Sequence, residues 1–217
     1  MTTTKYIATF TEGLLATKPN DTAVHATYVA GKEREAAGDE LDAAERTAAE
    51  LSDLNKGVTV FHRDEEGNPI VWNYQLKGFL KEAAKALRRD PTSAWADIKA
   101  FKSIIDGDVF VEPRKIRLQL PKFTELSMCE RPLRANTPQG ERVALAASEE
   151  APAGTKIEFS VTTLMPGLEA ALDEAWAYAR LRFMGAWRNS GKGTAIVEKV
   201  VDNTDGVNHA KKRGKSK

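Results

Sequence analysis

Leu76, Phe79, Leu80, Ala83, Ala84 and Leu87 fall at i, i+3, i+4, i+7, i+8 and i+11, which is one face of an α-helix. Lys77, Lys81, Lys85 and Arg88 take the other side, and Asn73 stands where an N-cap would. Leu168, Leu172, Ala175, Trp176, Ala179 and Phe183 make a second such face. Trp95, Ile98, Phe101 and Ile105 predict a further helix from Ser93 to Ile105, behind Pro91. From about Thr22 to Leu54 the chain is rich in Ala, Glu, Arg and Leu, with Gly38 as a break, and reads as two helical pieces with thin apolar faces.

The β-prone runs lie elsewhere. Lys5 to Phe10 forms a first strand, closed by the punctuation of GLLATKPND. In VTVFHRDEEGNPIVW two short runs flank the turn formers Asp64 to Asn68, a hairpin signal. Between Val109 and Leu164, VFVEPRKIRLQL, MCERPLRA, ERVALAAS and KIEFSVTTL are separated by Pro, Gly, Asn and Asp clusters, as in antiparallel hairpins. The last strand is TAIVEKVV, and from Asp202 onward low hydrophobicity and excess positive charge predict disorder.

Set aside the helical insertion and the extra hairpins, and the order is strand, helix, two strands, helix, strand. This predicts an α+β fold of the split βαβ, ferredoxin-like kind: an antiparallel four-stranded sheet with two helices on one face and the other face open. A length of 217 residues fits one elaborated domain better than two. The expected organisation is therefore one domain over 1–202, with the insertion at about 21–55, and a disordered basic tail over 203–217.

Charge sharpens this picture. Lys211, Lys212, Arg213, Lys215 and Lys217 close the chain without an acid; removing these five takes the balance from 32 basic against 31 acidic residues to 27 against 31, or −4. Lys32 to Asp53 holds eight acids, Glu33, Glu35, Asp39, Glu40, Asp42, Glu45, Glu50 and Asp53, against Lys32, Arg34 and Arg46. That stretch suits solvent or a basic partner rather than a phosphate backbone. Apolar runs are far shorter than the ~20 residues a membrane helix needs, and MTTTKYIATF lacks the blocks of a signal peptide. With Cys129 alone, neither an intrachain disulfide nor a cysteine-based metal site can form, so the expectation is a cytoplasmic protein without cofactor or metal.

Gly185-Ala186-Trp187-Arg188-Asn189-Ser190-Gly191-Lys192-Gly193 gathers three glycines, two cations, an aromatic ring and two small polar residues. Glycines permit φ > 0 and close backbone approach, and exposed N–H groups beside Arg188 and Lys192 suit a phosphate or sugar-phosphate chain. The competing reading is a helix-to-strand connection whose cations are only solvated. A nucleotide-binding P-loop is rejected: position 186 is Ala, position 193 is Gly, and the loop runs from helix to strand. His62 is the one histidine on an ordered element, since His25 falls in the insertion and His209 in the tail. No positioned partner for acid–base chemistry is visible beside it. Tyr74, Trp72, Trp187 and Phe61 lie near enough to stack on bases, although core packing explains each as well, and Trp176 reads as core. Arg114, Lys115 and Arg117, with Arg131, Arg134 and Arg142, either extend a basic groove or form a solvated hairpin face.

Residues 66–84, Glu-Gly-Asn-Pro-Ile-Val-Trp-Asn-Tyr-Gln-Leu-Lys-Gly-Phe-Leu-Lys-Glu-Ala-Ala, resemble the segment G-x-P-x-(I/V)-P-G-S-S-L-K-G-x-(L/I)-R of the RAMP superfamily. These are the repeat-associated proteins that bind guide RNA in CRISPR effector complexes. Residues 185–194, Gly-Ala-Trp-Arg-Asn-Ser-Gly-Lys-Gly-Thr, are similar to the glycine-rich loop, G-x-x-x-x-x-G-x-G, that precedes the last strand in that superfamily. Two departures stand out: Pro-Gly-Ser-Ser is replaced by Trp72-Asn73-Tyr74-Gln75, and the Arg after the helix start by Lys81.

The resemblance implies a ferredoxin-like core that holds RNA, or another single-stranded nucleic acid, between the start of the helix and the glycine-rich loop. The residues it singles out are Asn73, Tyr74, Lys77, Lys81, Trp187, Arg188, Asn189, Ser190 and Lys192. The leading expectation is a non-enzymatic RNA-binding protein like a CRISPR effector backbone subunit, with RNA and effector subunits as partners. Two alternatives stay open: a phage or mobile-element protein that mimics or obstructs such a complex through protein contacts, and a structural or assembly protein, homo-oligomeric, that shares only the fold.

Overall fold

The computed structural model describes residues 1–20, 58–137 and 140–200, with side chains at all of these except 133–145. The helical insertion, the acidic stretch Lys32 to Asp53 and the basic tail lie outside the described residues, as do the side chains of Arg134 and Arg142.

Four strands form the central sheet: β1 (Thr2–Phe10), β7 (Val109–Glu112), β11 (Lys156–Thr163) and β12 (Ala195–Lys199). Their order is β12-β1-β11-β7, antiparallel throughout. Helix α1 (Asn73–Leu87) lies in the chain between β1 and β7, and α3 (Glu169–Tyr178) between β11 and β12. This is the expected ferredoxin-like topology. Alternation along the strands sets the two faces: Tyr6, Ala8 and Phe10 are buried with Ile157, Phe159, Val161, Val109 and Val111.

Against this face α1 buries Leu76, Phe79, Leu80, Ala83 and Ala84, and α3 buries Ala171, Leu172, Ala175 and Trp176. Leu87 is half-buried. Rings lock the layers together: Trp176 lies 5.3 Å from Tyr6, 5.4 Å from Phe159 and 5.7 Å from Phe79, and Phe183 meets Phe79 edge-on at 4.7 Å. Trp176 is core, as its spacing predicts. Among the described residues no helix is long and apolar enough to cross a membrane.

Two smaller sheets flank this core. Strands β2 (Leu14–Leu15), β3 (Lys18–Pro19), β4 (Val58–Val60), β9 (Ser127–Thr137) and β10 (Gly140–Ala151) form one, in which β9 and β10 are a long antiparallel hairpin. Strands β5 (His62–Arg63), β6 (Pro69–Trp72) and β8 (Lys115–Arg117) form the other. The hairpin signal at Asp64 to Asn68 is realised: His62 pairs with Ile70, and the Asp64 carboxylate accepts from the amides of Glu66 at 3.0 Å and Asn68 at 2.8 Å. By contrast, the runs from Val109 to Leu164 do not all join as hairpins; β7 and β8 enter different sheets, and so do β10 and β11.

Two local expectations are corrected. The helix expected from Ser93 begins only at Phe101, as α2 (Phe101–Asp108). The preceding segment is drawn into turns by α3: Glu174 accepts from the Ser93 hydroxyl at 2.5 Å and the Ala94 amide at 3.0 Å, and the buried Trp95 indole donates to the Ala171 carbonyl at 2.6 Å. Asn73 is not the N-cap. Trp72 is, with its amide bonded to the Gln75 side chain at 2.8 Å, while the Asn73 amide group donates to the Val111 carbonyl at 2.8 Å. Anchoring the helix start to the edge of β7 thus overrides the local capping preference.

Candidate functional site

The glycine-rich loop does not follow α3 directly; Phe183, completely buried, intervenes between the end of the helix at Tyr178 and Gly185. The loop then docks on β2. The Ala186 amide donates to the Leu15 carbonyl at 3.2 Å, and the Gly193 amide to the Gly13 carbonyl at 2.9 Å. Gly185 and Gly193 have φ of +92° and +70°, and a Cβ on Gly193 would lie 1.9 Å from the Met184 carbonyl oxygen. Gly191, at φ +87°, has nothing within 4 Å. Two of the three glycines therefore serve backbone packing.

Between them, Arg188–Ser190 forms a single 3₁₀ turn, within which the Ser190 amide and hydroxyl both donate to the Trp187 carbonyl, at 3.1 and 2.8 Å. The amides of Ala186, Ser190, Gly191 and Gly193 are thus committed inside the protein. So are the cations. Arg188 pairs with Glu82 on α1, which also holds Arg182 at 2.5 Å, and Arg182 donates to Asn189 Oδ1 at 2.9 Å. Lys192 pairs with Glu150 on β10 at 2.7 Å. The Glu150 hydrogen bond holds the Lys192 ammonium above the usual lysine range, against a smaller opposing effect of burial, so Lys192 is cationic at neutral pH.

Around the start of α1 the predicted residues form a second group. Lys77 donates to the Asp106 carbonyl at 3.2 Å and lies over the Phe110 ring, and Lys81 pairs with the Asp106 carboxylate at 2.5 Å. Tyr74, 59% exposed, stacks on Trp72 with ring centroids 6.2 Å apart and planes 14° from parallel. His62 meets the Trp72 ring edge-on at 5.5 Å, and the Arg114 guanidinium lies 5.8 Å from it. The result is a ladder of rings ending in an exposed phenol. Phe61, the other ring expected near the motif, is buried in the core.

Glu82 follows Asn73 by nine residues, so Arg188 sits about 13 Å along α1 from the helix start. The cations of the two motifs are therefore separate. A small cleft is lined by Gln75 in the first turn of α1, by Met184 and Gly185 at the loop entrance, and by Leu14 to Lys18, Phe61 and His62. The roles of Glu82, Glu150 and the Leu14–Lys18 segment carried no sequence signal, because each depends on contacts remote in the chain.

Trp187, 44% exposed, lies over the Arg131 guanidinium at 5.4 Å. Arg131, on β9, is otherwise buried and touches the Ser148 hydroxyl at 3.3 Å. The open face of the central sheet is different in character. Lys5, Ser160 and Glu112 form one row across it, and Glu198, Ile7 and Glu158 the next. No helix covers this face among the described residues, yet acids outnumber bases on it.

No family model and no curated protein matches the chain. Among solved structures, a chain of the type III-B Cmr-beta complex bound to cognate target RNA, seen by cryo-EM, superposes with a TM-score of 0.51 at 9% identity. The match covers 91% of this chain and 61% of that one. A chain of a type IV-B CRISPR complex superposes with a TM-score of 0.49 at 11% identity, over 94% of this chain and 93% of that one. The likeness to the Cmr-beta chain is one of fold, and it agrees with the ferredoxin-like α+β arrangement described above.

Proposed function

We propose that this protein binds single-stranded RNA without catalysing its turnover, as a relative of the backbone subunits of CRISPR effector complexes. The observation that carries this reading is that Gln75 in the first turn of α1 and Met184 and Gly185 at the entrance of the glycine-rich loop, more than a hundred residues apart in the chain, line one small cleft, with the cations of each motif outside it. The fold of a chain from an RNA-bound complex supports it. In this reading Asn73, Tyr74, Lys77 and Lys81 meet the RNA on one side, and Trp187, Arg188, Asn189, Ser190 and Lys192 on the other. The carboxylates already paired with these cations are no obstacle. Partly exposed ion pairs are worth about 0–1 kcal/mol each, and a phosphate that replaces the carboxylate restores the charge-assisted hydrogen bond.

The test is binding of single-stranded RNA, by gel shift or anisotropy, to the parent chain and to Arg188→Ala/Lys192→Ala across a salt series. The parent should lose affinity steeply with salt, and the double variant should flatten the logarithmic slope by about 1.4, or 0.7 for each phosphate left without its cation. Retention that ignores salt, or a double variant indistinguishable from the parent, would sink the reading. The acid-rich Lys32 to Asp53 stretch favours a second one, in which the protein obstructs an effector complex by protein contacts. Co-purification with such a complex in the absence of RNA binding would select it.

A further inference from the structure

We propose that Trp187 and Arg131 together form a nucleotide subsite: a base stacks on the outward face of the indole, and the adjoining phosphodiester is drawn to the guanidinium behind it and to Lys192. The proposal rests on the RNA-binding reading and names the contact through which the glycine-rich loop would sense a base rather than a backbone alone.

Three independent observations meet here. The first concerns charge. Arg131 is 9% exposed, its Nε is buried without a hydrogen-bond partner, and its contacts are the Ser148 hydroxyl at 3.3 Å and the Trp187 ring at 5.4 Å. No carboxylate pairs with it among the described residues. Buried cations are ordinarily paired, because an uncompensated charge in a low-dielectric setting is costly. Among the described residues the counter-charge is absent, and an anionic ligand would supply one.

The second concerns backbone. Trp187 has φ +55°, a left-handed conformation rare for a bulky L residue. Burial does not account for it, since the ring remains 44% exposed. The pose is imposed by the loop: the Ala186 amide is fastened to Leu15, and the Trp187 carbonyl accepts twice from Ser190. An indole held out in this way, with one face on a cation and the other toward solvent, is a stacking platform.

The third concerns place. Lys192, in the same loop, reaches Glu150 on β10, and Ser148, the Arg131 partner, lies two residues before Glu150 on that strand. The loop therefore sets one ring and one ammonium over the sheet region where the Arg131 guanidinium is buried.

Binding is to be measured for a short oligoadenylate and for an abasic ribose-phosphate oligomer of equal length, with the parent, Trp187→Ala, Trp187→Phe, Arg131→Gln and Arg131→Lys. The expected result is that Trp187→Ala weakens the oligoadenylate at least about fivefold and leaves the abasic oligomer unchanged, while Trp187→Phe keeps most of the affinity. Arg131→Gln should weaken both and lower the salt slope by about 0.7, and Arg131→Lys should preserve that slope and, through its retained charge, the fold. If Arg188→Ala/Lys192→Ala weakens both oligomers while Trp187→Ala affects them equally or not at all, the subsite is refuted and RNA binding by the loop stands. Arg131 variants that lower thermal stability but leave affinity and slope untouched assign Arg131 a purely propping role and also refute it. A parent chain that binds neither oligomer removes both proposals.

Discussion

Gly185, Gly191 and Gly193 all sit at positive φ, but their surroundings differ, and the difference can be measured. At Gly193 a methyl group would collide with the Met184 carbonyl oxygen at 1.9 Å, and at Gly185 with the Leu14 Cδ1 at 2.6 Å and the Leu15 carbonyl oxygen at 2.8 Å. A backbone oxygen blocks each, so the loop's own ends would have to part at Gly193 and the loop would have to lift from β2 at Gly185. At Gly191 the space is open, and alanine meets only the backbone penalty of the left-handed region, about 1–2 kcal/mol. Gly193→Ala should therefore lower unfolding free energy in chemical denaturation by clearly more than Gly191→Ala, with Gly185→Ala also above it. Equal losses at the three positions would show that the loop is not fastened to β2 through its glycines. The glycines were legible in the sequence as positions needing special backbone geometry; which of them also face steric contact was not, because Leu15 and Met184 reach them only after the chain has folded.

At the scale of elements, periodicity was a reliable guide where a segment packs by its own apolar face, and it failed where another element takes control. The α1 face matches its spacing apart from the half-buried Leu87, and Leu172, Ala175 and Trp176 do so on α3, whereas Phe183, expected on that helical face, is buried beyond the helix end at Tyr178. The Ser93 to Ile98 segment also has apolar spacing, but Glu174 and the Ala171 carbonyl on α3 take its polar groups and hold it as turns. The β5–β6 hairpin was legible because its turn is local. Its Asp64 offers a pH prediction. Burial pushes the carboxyl up, but the Asn68 and Glu66 hydrogen bonds and the Arg117 guanidinium, 2.7 Å away, hold it below the ordinary carboxylate range. A carboxyl with a lowered folded-state pKa adds stability above its unfolded value, and that stability is lost as pH falls through the folded one. Hydrogen exchange at Glu66 to Asn68 should accordingly lose protection below about pH 4, the unfolded value of an aspartate. In Asp64→Ala that acid transition should be gone, with low protection at every pH.

Across the whole molecule, the order of strands and helices and the two motif segments were readable from sequence, whereas the separation of their cations was not, since Glu82, Glu150 and Asp106 draw them apart through tertiary pairing. The same scale decides where RNA can lie. A sheet face that no helix covers among the described residues invites comparison with proteins that stack bases across such a surface, which requires aromatic rings on the central strands. Here the outward residues of β1 and β11 are Thr3, Lys5, Ile7, Thr9, Lys156, Glu158, Ser160 and Thr162, and the outward ring, Phe110, sits at the edge beneath Lys77. Among the described residues Glu112, Glu158 and Glu198 outnumber Lys5 and Lys156, so the face offers phosphate no net attraction. RNA held by the glycine-rich loop and the start of α1 should therefore pass beside the central sheet and not over it. Lys5→Gln is the direct check, because Lys5 stands in the middle of that face. It should leave affinity within about twofold and the salt slope unchanged, whereas a path across the sheet would lower the slope by about 0.7 for the one phosphate that Lys5 would otherwise neutralise.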